Sequence, residues 1–147
     1  MNPHDPTLLA KRYAIVVEHM TAENAYEFER CIDAFAHPRY EIMPTGAIWD
    51  GHDGVTELLL QNKTAFPDFH FGPETFHHSE TAVLVEGHFS GTHLGIWNGI
   101  PPTGRKIDVA LIILFLFEGE RMVCERTYFD VLTILTQMGV APGAPAS

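Results

Sequence analysis

The chain has 147 residues, 46% of them hydrophobic and 19% charged, and its nineteen acidic side chains against nine basic ones give a formal charge of −10. That length suits one domain, and no apolar run approaches the roughly 20 residues a membrane-spanning helix needs. No stretch gathers the lysines and arginines that a phosphate backbone or an anionic membrane surface would demand, so nucleic acid and membrane are not expected partners.

Asp5-Pro6 is a good helix start, a carboxylate that caps free N–H groups followed by a proline at the first helical position. The helix it opens is predicted to run to about Met20 on an apolar stripe of Leu9, Tyr13, Val16, Val17 and Met20, spaced three and four apart. Tyr13 lies on that stripe, so its hydroxyl is expected to face inward. The start MNPHDPTLLAKRY lacks the order of a signal peptide, which points to the cytoplasm. Thr21 can cap a second helix with Ala25, Phe28, Cys31, Ile32 and Phe35 on its buried side, ended by His37-Pro38. Cys31 and Cys124, the two cysteines, have no CxxC partner and read as buried free thiols.

RYEIMP alternates, with Tyr40 and Ile42 on one face and Glu41 and Met43 on the other, and reads as a short edge strand broken by Pro44 to Gly46. A third helix is predicted from near Asp53, burying Val55, Leu58, Leu59, Asn62 and Phe66, and stopping at Pro67. Residues 69–78, 81–94, 105–117 and 121–129 then read as strands, the last two joined by the tight turn EGER. Asp130 caps a closing helix, VLTILTQM, that ends at Gly139. A single domain over residues 1–140 and a disordered tail over 141–147 are expected. Helices first and long antiparallel strands after make an α+β fold, a curved sheet wrapped over helices around a pocket.

Every residue from Val109 to Phe117 is apolar, which implies burial of both faces of that strand. Helices and the pocket can cover one face; the other calls for a second copy of the sheet, so a homodimer through the outer sheet face is expected.

The stretch GTHLGIWNGIPPTGR, residues 91–105, joins two of these strands. Gly91, Gly95 and Gly99 let the backbone bend and approach closely, Pro101 and Pro102 stiffen the crossing, and His93 and Trp97 are placed to line the pocket mouth. This stretch resembles the SnoaL-like polyketide cyclases, a branch of the nuclear transport factor two-like superfamily. The similarity extends to His37-Pro38 with Tyr40, to Gly51, to the FPD of Phe66 to Asp68, and to YFDVLTILTQMG, which is similar to that family's WxDxxxLLxQLG ending. The resemblance implies a cone-shaped nuclear transport factor two-like fold and intramolecular aldol closure without a cofactor. It also implies an acid/base aspartate on the last strand helped by a histidine on the strand before. Those positions fall on Thr127 and Ile113 here, and neither side chain can do that work.

Strand periodicity offers a replacement. Glu125 shares a face with Thr127, beside an apolar wall of Leu111, Ile113 and Phe115, and a carboxylate in such a pocket has its pKa raised, as a general acid or base requires. The candidate catalytic residues are therefore Glu125, whose alternative is a surface or salt-bridged glutamate near Arg126, then Glu41, His93 and Asp68. Glu41 shares a face with Met43, where related cyclases place a polar cavity residue; its alternative is a solvated edge glutamate. Asp68 can instead cap a turn, and His93 can be a hydrogen-bonded structural histidine. Candidate substrate-binding residues are Tyr13, Met43, Trp97, Leu111, Ile113, Phe115 and Thr127. Nine histidines invite a metal reading, but their spacing matches no zinc motif, and no phosphate loop or dinucleotide fingerprint occurs, so no metal or cofactor is expected. The expected ligand is a small apolar carbonyl or epoxide compound, isomerised, dehydrated, cyclised or opened by acid/base chemistry. A binding protein that keeps the pocket without chemistry, and a structural dimerisation module, are the alternatives.

Overall fold

A computed structural model describes Asn2 and residues 4–140; the expected tail, 141–147, lies outside the described residues. Helix α1 spans Pro6–Asn24 and α2 Phe28–Asp33; strands β1 (Arg39–Ile42) and β2 (Ala47–Asp50) form a hairpin before α3 (Gly51–Ala65). Four long strands follow, β3 (His70–His78), β4 (Ala82–Thr92), β5 (Lys106–Glu118) and β6 (Arg121–Phe129), and α4 (Val131–Met138) closes the chain. The strands make one curled sheet in the order β2-β1-β6-β5-β4-β3. All neighbours are antiparallel except β1 and β6, which run parallel. The α+β architecture expected from the element order is the one observed.

Local chemistry explains most boundaries. The Asp5 carboxylate accepts the Thr7 N–H at 2.9 Å and the Asp130 carboxylate that of Leu132 at 3.1 Å, so both caps act as anticipated. Gly139 takes the left-handed conformation (φ 75°) that ends α4. The first helix is longer than its sequence pattern suggests. Thr21 lies inside α1, which runs on to Asn24, and the break comes at Tyr26, a left-handed residue with φ 60°. The buried stripe of α1 is Leu8, Arg12, Val16, His19 and Met20, rotated from the expected one. Tyr13 is consequently 44% exposed, packed edge-on against Phe76. The pattern misled because two stripe positions carry polar side chains. Arg12 is buried by donating to the carbonyls of Gly119 (2.8 Å) and Glu80 (3.0 Å) beneath the Phe117 ring, and His19 by the contacts described below.

β1 is not at the edge. The unforeseen strand β2 takes that position, and β1 sits between β2 and β6. Along β5 the residues alternate: Val109, Leu111, Ile113, Phe115 and Phe117 are buried, while Ala110 and Ile112 are exposed and Leu114 and Leu116 half-buried. Two apolar clusters divide the interior. The larger centres on Val16, Leu58, Ile113 and Phe115; the smaller, with Phe66, Val109 and Ile134, lies towards α4.

Candidate active site

The space between α3 and the inner face of the sheet is hollow, a cavity of about 170 Å³. Strand pairing sets its wall. Phe115 lies opposite Glu125, Ile113 opposite Thr127, and Tyr40 and Ile42 sit beside the same two β6 residues on the other side. All six line the cavity, as does Leu111, so the face assigned to Glu125, Thr127 and the apolar wall is the inward one. From the helices come Met20 and Glu23 on α1, and Leu58, Asn62 and Phe66 at the end of α3.

The mouth is shaped by the glycine-rich loop. A side chain at Gly95 would put its Cβ 2.2 Å from the Thr64 carbonyl oxygen, so only glycine lets the loop lie on the end of α3. Trp97 and Ile100 then exchange backbone hydrogen bonds of 3.1 and 2.8 Å across a two-residue turn, with Asn98 and Gly99 both at positive φ. This miniature hairpin brings Trp97 into the cavity wall.

At the cavity base lies a buried polar network that only Glu125 foreshadowed. The Glu125 Oε2 atom is 2.7 Å from His19 Nε2, and both side chains are almost wholly buried. The Nδ1–H of His19 donates to the Cys31 carbonyl at 2.9 Å. Tyr40 lies 3.1 Å from His19 Nε2 and donates its hydroxyl to Glu23 Oε2, also at 3.1 Å. A doubly protonated imidazole satisfies both its carbonyl and its carboxylate neighbour.

The electrostatics follow from burial and proximity. Burial opposes charge on His19, but Cys31 and the Glu125 carboxylate outweigh it and hold the imidazole well above its ordinary value. Burial also pushes the Cys31 thiol up, keeping it neutral. Glu23 is pushed up to about 7, first by burial and then by the nearby Glu125 charge. Tyr40 is driven well above 10 by burial and by both carboxylates. The two glutamates of the pocket thus differ in setting: Glu125 is tied to His19, and Glu23 is poised between acid and base near neutrality.

A metal would need a free imidazole lone pair here. Donor atoms of His19, Glu23 and Cys31 do lie within 4.8 Å of one another. Both imidazole nitrogens are committed, however, and the thiol keeps its proton, so the donor set suits a proton network better than an ion.

The other expected site residues lie elsewhere. Glu41 faces away from the cavity: β1 turns Tyr40 and Ile42 inward, and Glu41 binds Arg126 at 2.8 Å on the opposite face, which holds its carboxyl below the usual range. Met43 is 44% exposed and, like Tyr13, does not line the cavity. Asp68 clasps β4, accepting the Thr92 N–H and hydroxyl, each at 2.7 Å, which lowers its pKa. His93 is buried behind Phe66; its Nδ1 accepts from the Thr103 N–H at 3.3 Å, and burial pushes its pKa down. It is a neutral structural histidine outside the cavity wall. What sequence reasoning missed is the pair His19 and Glu23, one helical turn apart on α1. Its trace was there: both continue the Leu8–Arg12–Val16 stripe, and polar residues on a buried stripe require partners.

The model of the SnoaL-like polyketide cyclase family matches residues 13–138. The chain belongs to that family. SnoaL-like and related solved structures superpose over most of the molecule. TsrD from Streptomyces laurentii is 24% identical over 89% of this chain and 96% of its own, with a TM-score of 0.76. IdmH from Streptomyces antibioticus is 22% identical over 88% and 99%, TM-score 0.73. A Catenulispora acidiphila protein with a ketosteroid isomerase-like fold is 17% identical over 90% and 97%, TM-score 0.74. At such identities these likenesses establish the fold of this SnoaL-like chain. No curated protein matches it.

Proposed function

We propose that this SnoaL-like protein is a cofactor-free enzyme that moves a proton on a small, largely apolar carbonyl or epoxide compound held in the cavity. The observation that carries the reading is the pair of carboxylates at the cavity base, each with one oxygen tied into the buried network and one left over. Oε2 of Glu125 faces His19 and Oε2 of Glu23 takes the Tyr40 hydroxyl, while no hydrogen bond among the described residues uses Oε1 of either. Both glutamates line the cavity. Glu125, oriented by His19, takes a proton from carbon beside a carbonyl; Glu23, in its acid form, gives one to the developing alkoxide or to a neighbouring carbon. The apolar walls keep water from competing.

The roles differ from those the resemblance implies, because Thr127 and Ile113 stand where the aspartate and histidine would be. Here the carboxylate sits one strand repeat deeper and the histidine comes from α1 rather than β5.

A screen of epoxides, enones and β-hydroxy carbonyl compounds supplies the substrate for the test. Glu125→Gln keeps the shape and removes the titration, so turnover should drop by about 10²- to 10⁴-fold, the usual contribution of a positioned proton-transfer group. Because Glu23 acts in its acid form, kcat/KM should fall as pH rises through about 7. Turnover of an active substrate at the wild-type rate by Glu125→Gln would overturn the assignment.

A further inference from the structure

Some polar groups in the cavity wall already have partners. Glu23, Tyr40 and Glu125 belong to the buried network, the Thr45 hydroxyl donates to the Ile42 carbonyl, and the Gln61 amide donates to Glu57. Five do not, among the described residues: the Trp49 and Trp97 indoles, which can only donate, the exposed Asn98 amide, the Asn62 amide and the Thr127 hydroxyl. Of these, Asn62 and Thr127 can both donate and accept without being exposed. Thr127 is only 8% exposed, and Asn62 is half-buried. A desolvated amide or hydroxyl is unfavourable unless whatever occupies the cavity supplies its partner.

Their positions are informative. On β6, Thr127 is two residues from Glu125 on the same face, which places it about 7 Å further up the wall. On α3, Asn62 lies one turn beyond Leu58, part of the larger apolar cluster, and one turn before Phe66, part of the smaller one. Asn62 thus lies between Leu58 and Phe66 on α3 and Thr127 one strand repeat beyond Glu125 on β6, both in the wall of the same cavity. Among the described residues no lysine or arginine lines the cavity, and Glu23 and Glu125 do.

We propose that Asn62 and Thr127 are the specificity-determining residues of this cavity. They select neutral, largely apolar compounds that carry a second hydrogen-bonding oxygen about 7 Å from the one at the carboxylates. The inference rests on the cavity being a substrate site, as proposed above, but it concerns recognition rather than chemistry. Asn62 can donate and accept while Thr127 does either, so a carbonyl or a hydroxyl fits these groups. A carboxylate or phosphate group finds no counter-charge.

The test is a comparison of two bicyclic probes: a tetralone bearing a hydroxyl para to the carbonyl-bearing ring carbon, and the unsubstituted tetralone. Trp49 and Trp97 both stand in the wall and are the chain's two tryptophans, so their fluorescence, corrected for probe absorbance, reports binding directly. Wild-type protein should prefer the hydroxylated probe about tenfold, the effect of one added hydrogen bond in a dry site. Asn62→Leu and Thr127→Val should each cut that preference to below about threefold while leaving tetralone affinity within about twofold; Thr127→Ser should retain it. The two substitutions sit on different elements, so one stays readable if the other does not fold. Binding of neither probe, no preference in wild-type protein, full preference in both variants, or an equal loss for both probes would each overturn the proposal. Failure of Glu125→Gln to slow turnover would sink the proton-transfer reading and leave this binding preference untouched.

Discussion

Glu23→Gln is the substitution on which the electrostatics of the cavity can be judged most directly. The amide keeps the volume and can still accept the Tyr40 hydroxyl, but it cannot ionise. In the wild-type protein the Glu23 pKa is raised from 4.5 to about 7, so between those values the folded state holds a proton that the unfolded chain has released. Stability from this group is therefore full below about pH 4.5 and is lost as pH rises through 7. The loss is about 2.5 pH units at 1.36 kcal/mol each, about 3 kcal/mol. Urea denaturation followed by tryptophan fluorescence between pH 4.5 and 8.5 should show Glu23→Gln gaining on wild type by about that amount across the interval and then staying level. At the alkaline end the variant should be the more stable protein and the poorer catalyst, by 10²-fold or more in turnover. A stability difference that stays constant with pH would refute the raised ionisation, and with it the assignment of Glu23 as the acid.

Other outcomes follow from the same contacts. His19→Ala leaves the Glu125 carboxylate buried without its imidazolium, so it should lose about 3–5 kcal/mol at pH 7 in urea denaturation, as broken buried pairs do. Asp68→Asn weakens a clasp on the Thr92 hydroxyl and N–H, and should lower stability by about 1–3 kcal/mol with little change in turnover; Glu41→Gln, on the face away from the cavity, should leave kcat within about twofold. The exposed outer sheet residues Ala110, Ile112 and Tyr128 lead us to expect a dimer, which sedimentation at micromolar concentration checks; a monomer there would remove that expectation.

The features decided by neighbours in the chain were legible from the sequence. Asp5 and Asp130 cap their helices because a carboxylate two residues before a free N–H reaches it wherever the helix lies. The four long strands alternate with a period of two, which is why fixing Thr127 as inward fixed Glu125, and why Ile113 and Phe115 appeared beside them. The arrangement across the sheet was not legible in this way. Strand parity in RYEIMP separates Tyr40 from Glu41 without saying which faces the cavity. That choice came from β1 pairing in parallel with β6, which sets Tyr40 beside Glu125 and turns Glu41 out to Arg126. On α1, His19 and Glu23 lie off the apolar stripe of Leu9, Tyr13, Val16, Val17 and Met20 that the sequence suggests. His19 is buried and Glu23 half-buried because β6, β1 and α2 bring Glu125, Tyr40 and the Cys31 carbonyl to them from up to 106 positions away. Helical and strand periods are local geometry and leave their mark in the order of residues. The protonation states of Glu23 and His19 are properties of a shared low-dielectric space, and that space exists only once the helices have closed over the sheet.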